Sequence, residues 1–133
     1  MELSAAPDPD LLVVDGANVV GSRPDGWWKD RPGAAARLHA RLVGSKGLAP
    51  QVVLVLEGRA RTGVPEGVSG RVGVVHAGGE GDDTIVAEVS RAASAGRAVG
   101  AVTADRELGA RVEELGATLL RPGWLLGRID GDR

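Results

Sequence analysis

Apolar residues in this chain form short unbroken runs, separated by stretches in which they recur every three to four positions. The first run, Leu11 to Val14, closes on Asp15, and its length and β-branched content suit a buried strand. Residues 16–32 contain Gly16, Gly21, Pro24 and Gly26 and read as a loop. Pro32 suits a first helical turn, and Ala35, Leu38 and Leu42 make an apolar stripe for a helix at about 33–46, with Arg37, His39 and Arg41 facing elsewhere. A second buried strand is expected from Gln51 to Glu57, then a glycine-rich loop at 58–70, then a shorter strand from Val72 to His76. Gly78, Gly79 and Gly81 lead into a helix at about 82–95, whose stripe is Ile85, Val86, Val89 and Ala93. A fourth strand is expected from Val99 to Thr103. The next helix, 105–115, aligns Leu108, Val112 and Leu115 and stops at Gly116. A fifth strand, 117–120, precedes a Pro-Gly-Trp turn and a polar tail.

Continuous apolar strands alternating with amphipathic helices indicate an α/β fold with a parallel sheet covered on both faces. Such sheets bind ligands beyond the carboxyl ends of their strands, near the point where strand order reverses. The expected organisation is a flexible lead at 1–10, one domain at 11–126 and a tail at 127–133, without repeat or internal linker.

Composition narrows the chemistry. The 133 residues suffice for one domain with its own core. The absence of cysteine removes disulfides, thiolate metal sites and cysteine nucleophiles. With only two histidines, a metal site would rest on oxygen ligands, which suits Mg²⁺ or Mn²⁺ better than zinc. His39 and His76 do not suggest ligands. No apolar run approaches membrane-spanning length and the acidic first ten residues do not resemble a signal peptide, so a cytoplasmic protein without membrane association is expected. A net charge of −2 does not point to nucleic acid, although binding follows the distribution of charge more than its sum.

The carboxylates carry the functional signal. Asp15 ends the first strand and Glu57 the second, Asp82 and Asp83 open a helix, and Asp105 follows the fourth strand. In a parallel sheet all five positions share one edge. Crowded carboxylates raise one another's pKa, and a hard divalent cation removes that conflict. Asp82, Asp83 and Asp105 also suit helix capping and the helix dipole, whereas Asp15, directly after a buried strand and before a glycine, is more often a site residue. Asn18 and Thr103 are supporting candidates: Asn18 to bond the Asp15 carboxylate or a phosphate, Thr103 to orient a water or brace Asp105. Each also suits a turn or helix-entry role.

The stretch from Val14 to Gly21, with Asp15-Gly16-Ala17-Asn18 at its centre, resembles the opening motif of NYN-domain proteins, a branch of the PIN-like nucleases. Gly81-Asp82-Asp83-Thr84-Ile85 resembles that family's acidic pair at a helix start, and Thr103-Ala104-Asp105 its Ser/Thr-x-Asp motif after strand four. The resemblance spans residues 11–126. It implies a three-layer α/β/α fold with a five-stranded parallel sheet of order 3-2-1-4-5, which makes strands one and four neighbours. It also implies metal-dependent hydrolysis of phosphodiesters, usually in RNA and less often in DNA. Asp15, Asp82, Asp83 and Asp105 are then the catalytic, Mg²⁺- or Mn²⁺-binding set, with Asn18, Glu57 and Thr103 in support.

For nucleic acid, Arg23, Lys29 and Arg31 lie in the loop after Asp15, Arg59, Arg61 and Arg71 in or beside the loop after strand two, and Arg106 beside Asp105; taken singly, each suits a solvated surface better than a phosphate contact. One of the adjacent Trp27 and Trp28 is placed to stack on an unpaired base or to pack over the first helix, and Trp124 reads as core or an interface anchor. The main rival to a ribonuclease is a non-catalytic RNA-binding or adaptor module of the same fold. A small-molecule phosphohydrolase is less well supported: a phosphoaspartate site of DxD type would need an aspartate where Ala17 stands, and no GxGxxG or Walker loop is present. The sequence leaves substrate identity, endo- or exonucleolytic action, metal number and the choice between monomer and homodimer open.

Overall fold

The computed structural model describes residues 9–131. The expected flexible lead therefore lies outside the described residues except for its last two positions. Six strands form one sheet: β1 (Leu11–Asp15), β2 (Gln51–Leu56), β3 (Gly67–Ser69), β4 (Val72–His76), β5 (Val99–Val102) and β6 (Thr118–Leu120), in the order β3-β4-β2-β1-β5-β6. All pairings are parallel except that of β3 with β4. Without β3 the order is the expected 3-2-1-4-5, so β1 does lie beside the strand that ends at Val102. The sixth strand is a correction: part of the expected 58–70 loop folds back on β4 as a three-residue edge strand.

Alternation along the strands sorts the core into two layers. Leu12, Val14, Val52, Leu54 and Leu56 face α1 (Gly16–Gly21), α2 (Arg31–Gly44) and α5 (Pro122–Gly131), burying Val19, Leu38, Leu42, Leu125 and Ile129. Leu11, Val13, Val53 and Val55 face α3 (Gly81–Ser94) and α4 (Arg106–Glu114), burying Ile85, Val89, Leu108 and Val112. Each fully buried Val, Leu or Ile contributes about 1.5–3 kcal/mol relative to exposure, so the layers outweigh the weak helical propensity of the glycine-rich segments. The result is the three-layer α/β/α arrangement.

Three segments differ from the sequence reading on that account. The expected loop at 16–32 contains α1 and a short 3₁₀ turn at Trp27–Lys29. The loop after β2 contains a 3₁₀ segment at Gly58–Gly63. The expected turn and the tail as far as Gly131 form α5, held by buried Leu125 and Ile129 one helical turn apart; residues 132–133 lie outside the described residues. Asp130 on α5 pairs with Arg23 and with Arg41 (3.0 Å), tying the helix to the segment just after α1 and to α2. No helix among the described residues is long and apolar enough to cross a membrane.

The chain runs outward through β1, β2 and β4, then returns by α3 to place β5 on the other side of β1. Strand order reverses between β1 and β5, where the strand ends open a crevice.

Candidate carboxylate site at the strand ends

Register explains how the site assembles. Val14 pairs with Val102, so Asp15 and Thr103 leave adjacent strands side by side. The Thr103 hydroxyl donates to Asp15 Oδ2 at 2.9 Å, and the Asp105 N–H donates back to Thr103 Oγ1 at 3.1 Å. Asp15 is 7% and Thr103 2% exposed, so this bond lies where water competes little. Asp15 Oδ1 accepts from the Asn18 N–H (3.2 Å), making Asp15 the N-cap of α1. Asp15 thus caps a helix and holds the neighbouring strand's exit. Gly16 must follow it: a Cβ there would stand 2.7 Å from the Val55 carbonyl oxygen and 2.9 Å from Leu56 Cδ2.

Asn18 acts differently from expectation. Its side-chain oxygen accepts from the Ala104 N–H at 2.8 Å, while only its backbone reaches the Asp15 carboxylate. This is a second stitch between the exits of β1 and β5. Asp105 caps α4, its Oδ1 accepting from the Leu108 N–H at 3.0 Å. Glu57 joins from the β2 side, where its Oε1 accepts the Gly81 N–H at 2.7 Å and holds the start of α3. Both aspartates of that first turn are free of capping duty, because the cap position is Glu80, which makes no side-chain cap bond.

The pair then divides. The Asp83 side chain is 91% exposed and pairs with Arg111 Nη2 at 3.1 Å. Asp82 lies within the field of the other carboxylates. Burial pushes its carboxyl above the ordinary value, with Asp105, Glu80 and Glu57 pushing the same way and Arg111 opposing. Burial likewise raises the Asp15 carboxyl; the bonds from Thr103 and Asn18 counter it, and Asp82 and Glu57 add to it. The site is therefore a group of mutually repelling carboxylates centred on Asp15, Asp82 and Asp105, with Glu57 at its margin.

These donors are hard oxygen atoms and suit Mg²⁺ or Mn²⁺ in kind. Among the described residues no three His, Asp or Glu side chains are gathered as one ion's ligand set. Mg²⁺ usually keeps several waters and takes one or two carboxylates together with substrate phosphate, so the residues present fit such an ion. Such an ion would draw on Asp15, Asp82 and Asp105, with Asp82 feeling the charge of Asp105 and Asp15 that of Asp82.

The basic residues divide too. Lys29, Arg31, Arg59 and Arg106 are exposed on segments that follow the strand ends. Arg23 is engaged with Asp130 on the α1–α5 side, and Arg61 turns back onto the Gly58 (3.0 Å) and Ala77 (3.4 Å) carbonyls. Arg71 is a correction: it precedes β4, at the opposite sheet edge, and donates to the Ser45 carbonyl. Sequence reasoning missed Arg111, whose link to Asp83 depends on α3 packing against α4 and leaves no local signal.

No protein-family model and no curated protein matches this sequence. Solved structures do match its shape. Rae1 (YacP) from Bacillus subtilis superposes with a TM-score of 0.64 at 19% identity, over 92% of this chain and 74% of Rae1. A tryptophan-to-leucine variant of the same protein gives 0.67 at 18% identity, over 92% and 76%. At that identity the likeness concerns the fold: this chain shares its three-layer α/β/α arrangement with Rae1.

Proposed function

We propose that this protein is a metal-dependent ribonuclease that hydrolyses RNA phosphodiester bonds at the Asp15–Asp82–Asp105 crevice. The observation that carries the reading is the hydrogen-bonded chain from the Asp15 carboxylate through the Thr103 hydroxyl to the Asp105 N–H, which joins two strand exits where a parallel sheet binds ligands. The α/β/α fold shared with Rae1 and the three motifs that resemble NYN-domain nucleases support it. Mg²⁺ or Mn²⁺ would supply activation of water and stabilisation of the leaving oxygen. The chain's own residues do the positioning: Thr103 and the Asn18 N–H fix the Asp15 carboxylate, the α4 cap fixes Asp105, and Lys29, Arg31, Arg59 and Arg106 offer phosphate contacts.

Asp15→Asn is the decisive substitution. Asparagine caps a helix about as well as aspartate, so the fold should persist while cleavage of single-stranded RNA in Mn²⁺ falls at least about a hundredfold. Wild-type cleavage by a folded Asp15→Asn protein would sink the proposal. The second reading, an RNA-binding module without turnover, is favoured by the lack of a ready-gathered ligand set among the described residues. It predicts RNA binding by both proteins and cleavage by neither.

A further inference from the structure

A cleft of about 250 Å³ on the α1–α2 side of the sheet is lined by Glu57 and by Gly16 and Ala17, the two residues that follow Asp15. Its lining also includes Trp27, Arg31, Ala35, Leu56 and Gly58. Ligand pockets for drug-sized molecules span about 300–1,000 Å³, so this space suits one ring system and not a run of chain. The tryptophan is set in place: Trp28 meets it edge-on with centroids 6.1 Å apart at 90°, and the Arg31 guanidinium lies 5.5 Å from its ring centre. Glu57 Oε1 accepts the Gly81 N–H, while Oε2 makes no hydrogen bond to the described residues. The cleft is therefore lined by an aromatic ring braced by a guanidinium, by apolar side chains and by one anchored carboxylate with accepting capacity to spare.

We infer that this cleft is a subsite for a single unpaired nucleobase, selective for guanine, beside the position of the scissile phosphate. This rests on the ribonuclease reading and adds a base preference to it. Unpaired bases are recognised by stacking on aromatic rings and arginine planes and by hydrogen bonds to their exposed edges. A carboxylate only accepts. Guanine presents two adjacent donors, N1–H and the N2 amino group. Adenine and cytosine each set one amino donor beside a ring-nitrogen acceptor that a carboxylate repels. Uracil offers one N–H between two carbonyls. Exposed Arg31 at the cleft and exposed Arg59, one residue past Gly58, offset the carboxylate's repulsion of the nucleotide's phosphate.

The test is binding of the four nucleoside 5′-monophosphates to the full chain, followed by tryptophan fluorescence and calorimetry without divalent metal. Guanosine monophosphate should bind about tenfold or more tighter than the other three, the span of one bidentate pair. Glu57→Gln should remove that preference. Ala60→Leu, which enlarges a residue of the lining, should weaken all four nucleotides alike. Equal binding of the four by wild type, or an unchanged preference in Glu57→Gln, overturns the inference. Cleavage is scored separately. RNA cut with no preference for guanine next to the cut overturns the subsite and leaves the nuclease. Guanosine monophosphate bound selectively by a protein that cuts no RNA leaves the subsite and overturns the nuclease.

Discussion

Asp15 and Asp82 both carry raised carboxyl pKa values, and the consequence for stability has a definite sign. For Asp82 the folded chain keeps its proton at pH values above the ordinary 3.8, where the unfolded chain has lost it. Stability therefore falls as pH rises from 3.8 through the raised value, and the loss persists at neutral pH. Asp82→Asn removes that loss. Its melting temperature should exceed wild type at pH 7, and the gap should close as unfolding is followed down to pH 3.8. A gap that is independent of pH, or of opposite sign, would show that Asp82 does not feel its neighbours. The sequence placed Asp15, Asp82, Asp83 and Asp105 at strand exits and helix starts. It could not separate Asp82 from Asp83, because that choice depends on Arg111 from another helix.

Among the elements, α5 is the clearest departure from the sequence reading. Gly123 and Gly127 argue against a helix by propensity, and its charged end reads as a tail. Tertiary packing overrides this: Leu125 and Ile129 are buried, and Asp130 reaches Arg23 and Arg41. The spacing of Leu125 and Ile129 was the available signal. Leu125→Ala should cost about 2–5 kcal/mol, as expected for a fully buried leucine, measured by urea denaturation at unchanged m-value. A cost under about 1 kcal/mol, the range of surface changes, would mean that α5 is not part of the core. The longer helices and the parallel strands were legible because each holds enough apolar positions to display its period. Six-residue α1 and three-residue β3 do not.

Taken whole, the molecule gathers Asp15, Glu57, Asp82 and Asp105 at one end of its sheet. Any cation bound there only in the folded state stabilises that state, by about 2.7 kcal/mol at a hundredfold excess over its dissociation constant. Millimolar Mn²⁺ should therefore raise the wild-type melting temperature and leave that of Asp15→Asn nearly unchanged, with chelator reversing the effect. Equal shifts in both proteins would place the ion elsewhere.

The six-stranded sheet also ends on both sides in strands of three residues, β3 and β6. On the β3 side, Val68 is 79% exposed, between Gly67 and Gly70, both at positive φ. Unpaired backbone on long, flat edges is what recruits foreign strands into aggregates. Here the ladder that a stray chain could extend is one short rung-set on each flank, broken at β3 by left-handed glycines. A protein with an apolar parallel interior thus carries its own protection against growing into a fibril, in the same glycine-rich stretch that read from sequence as nothing more than a loop.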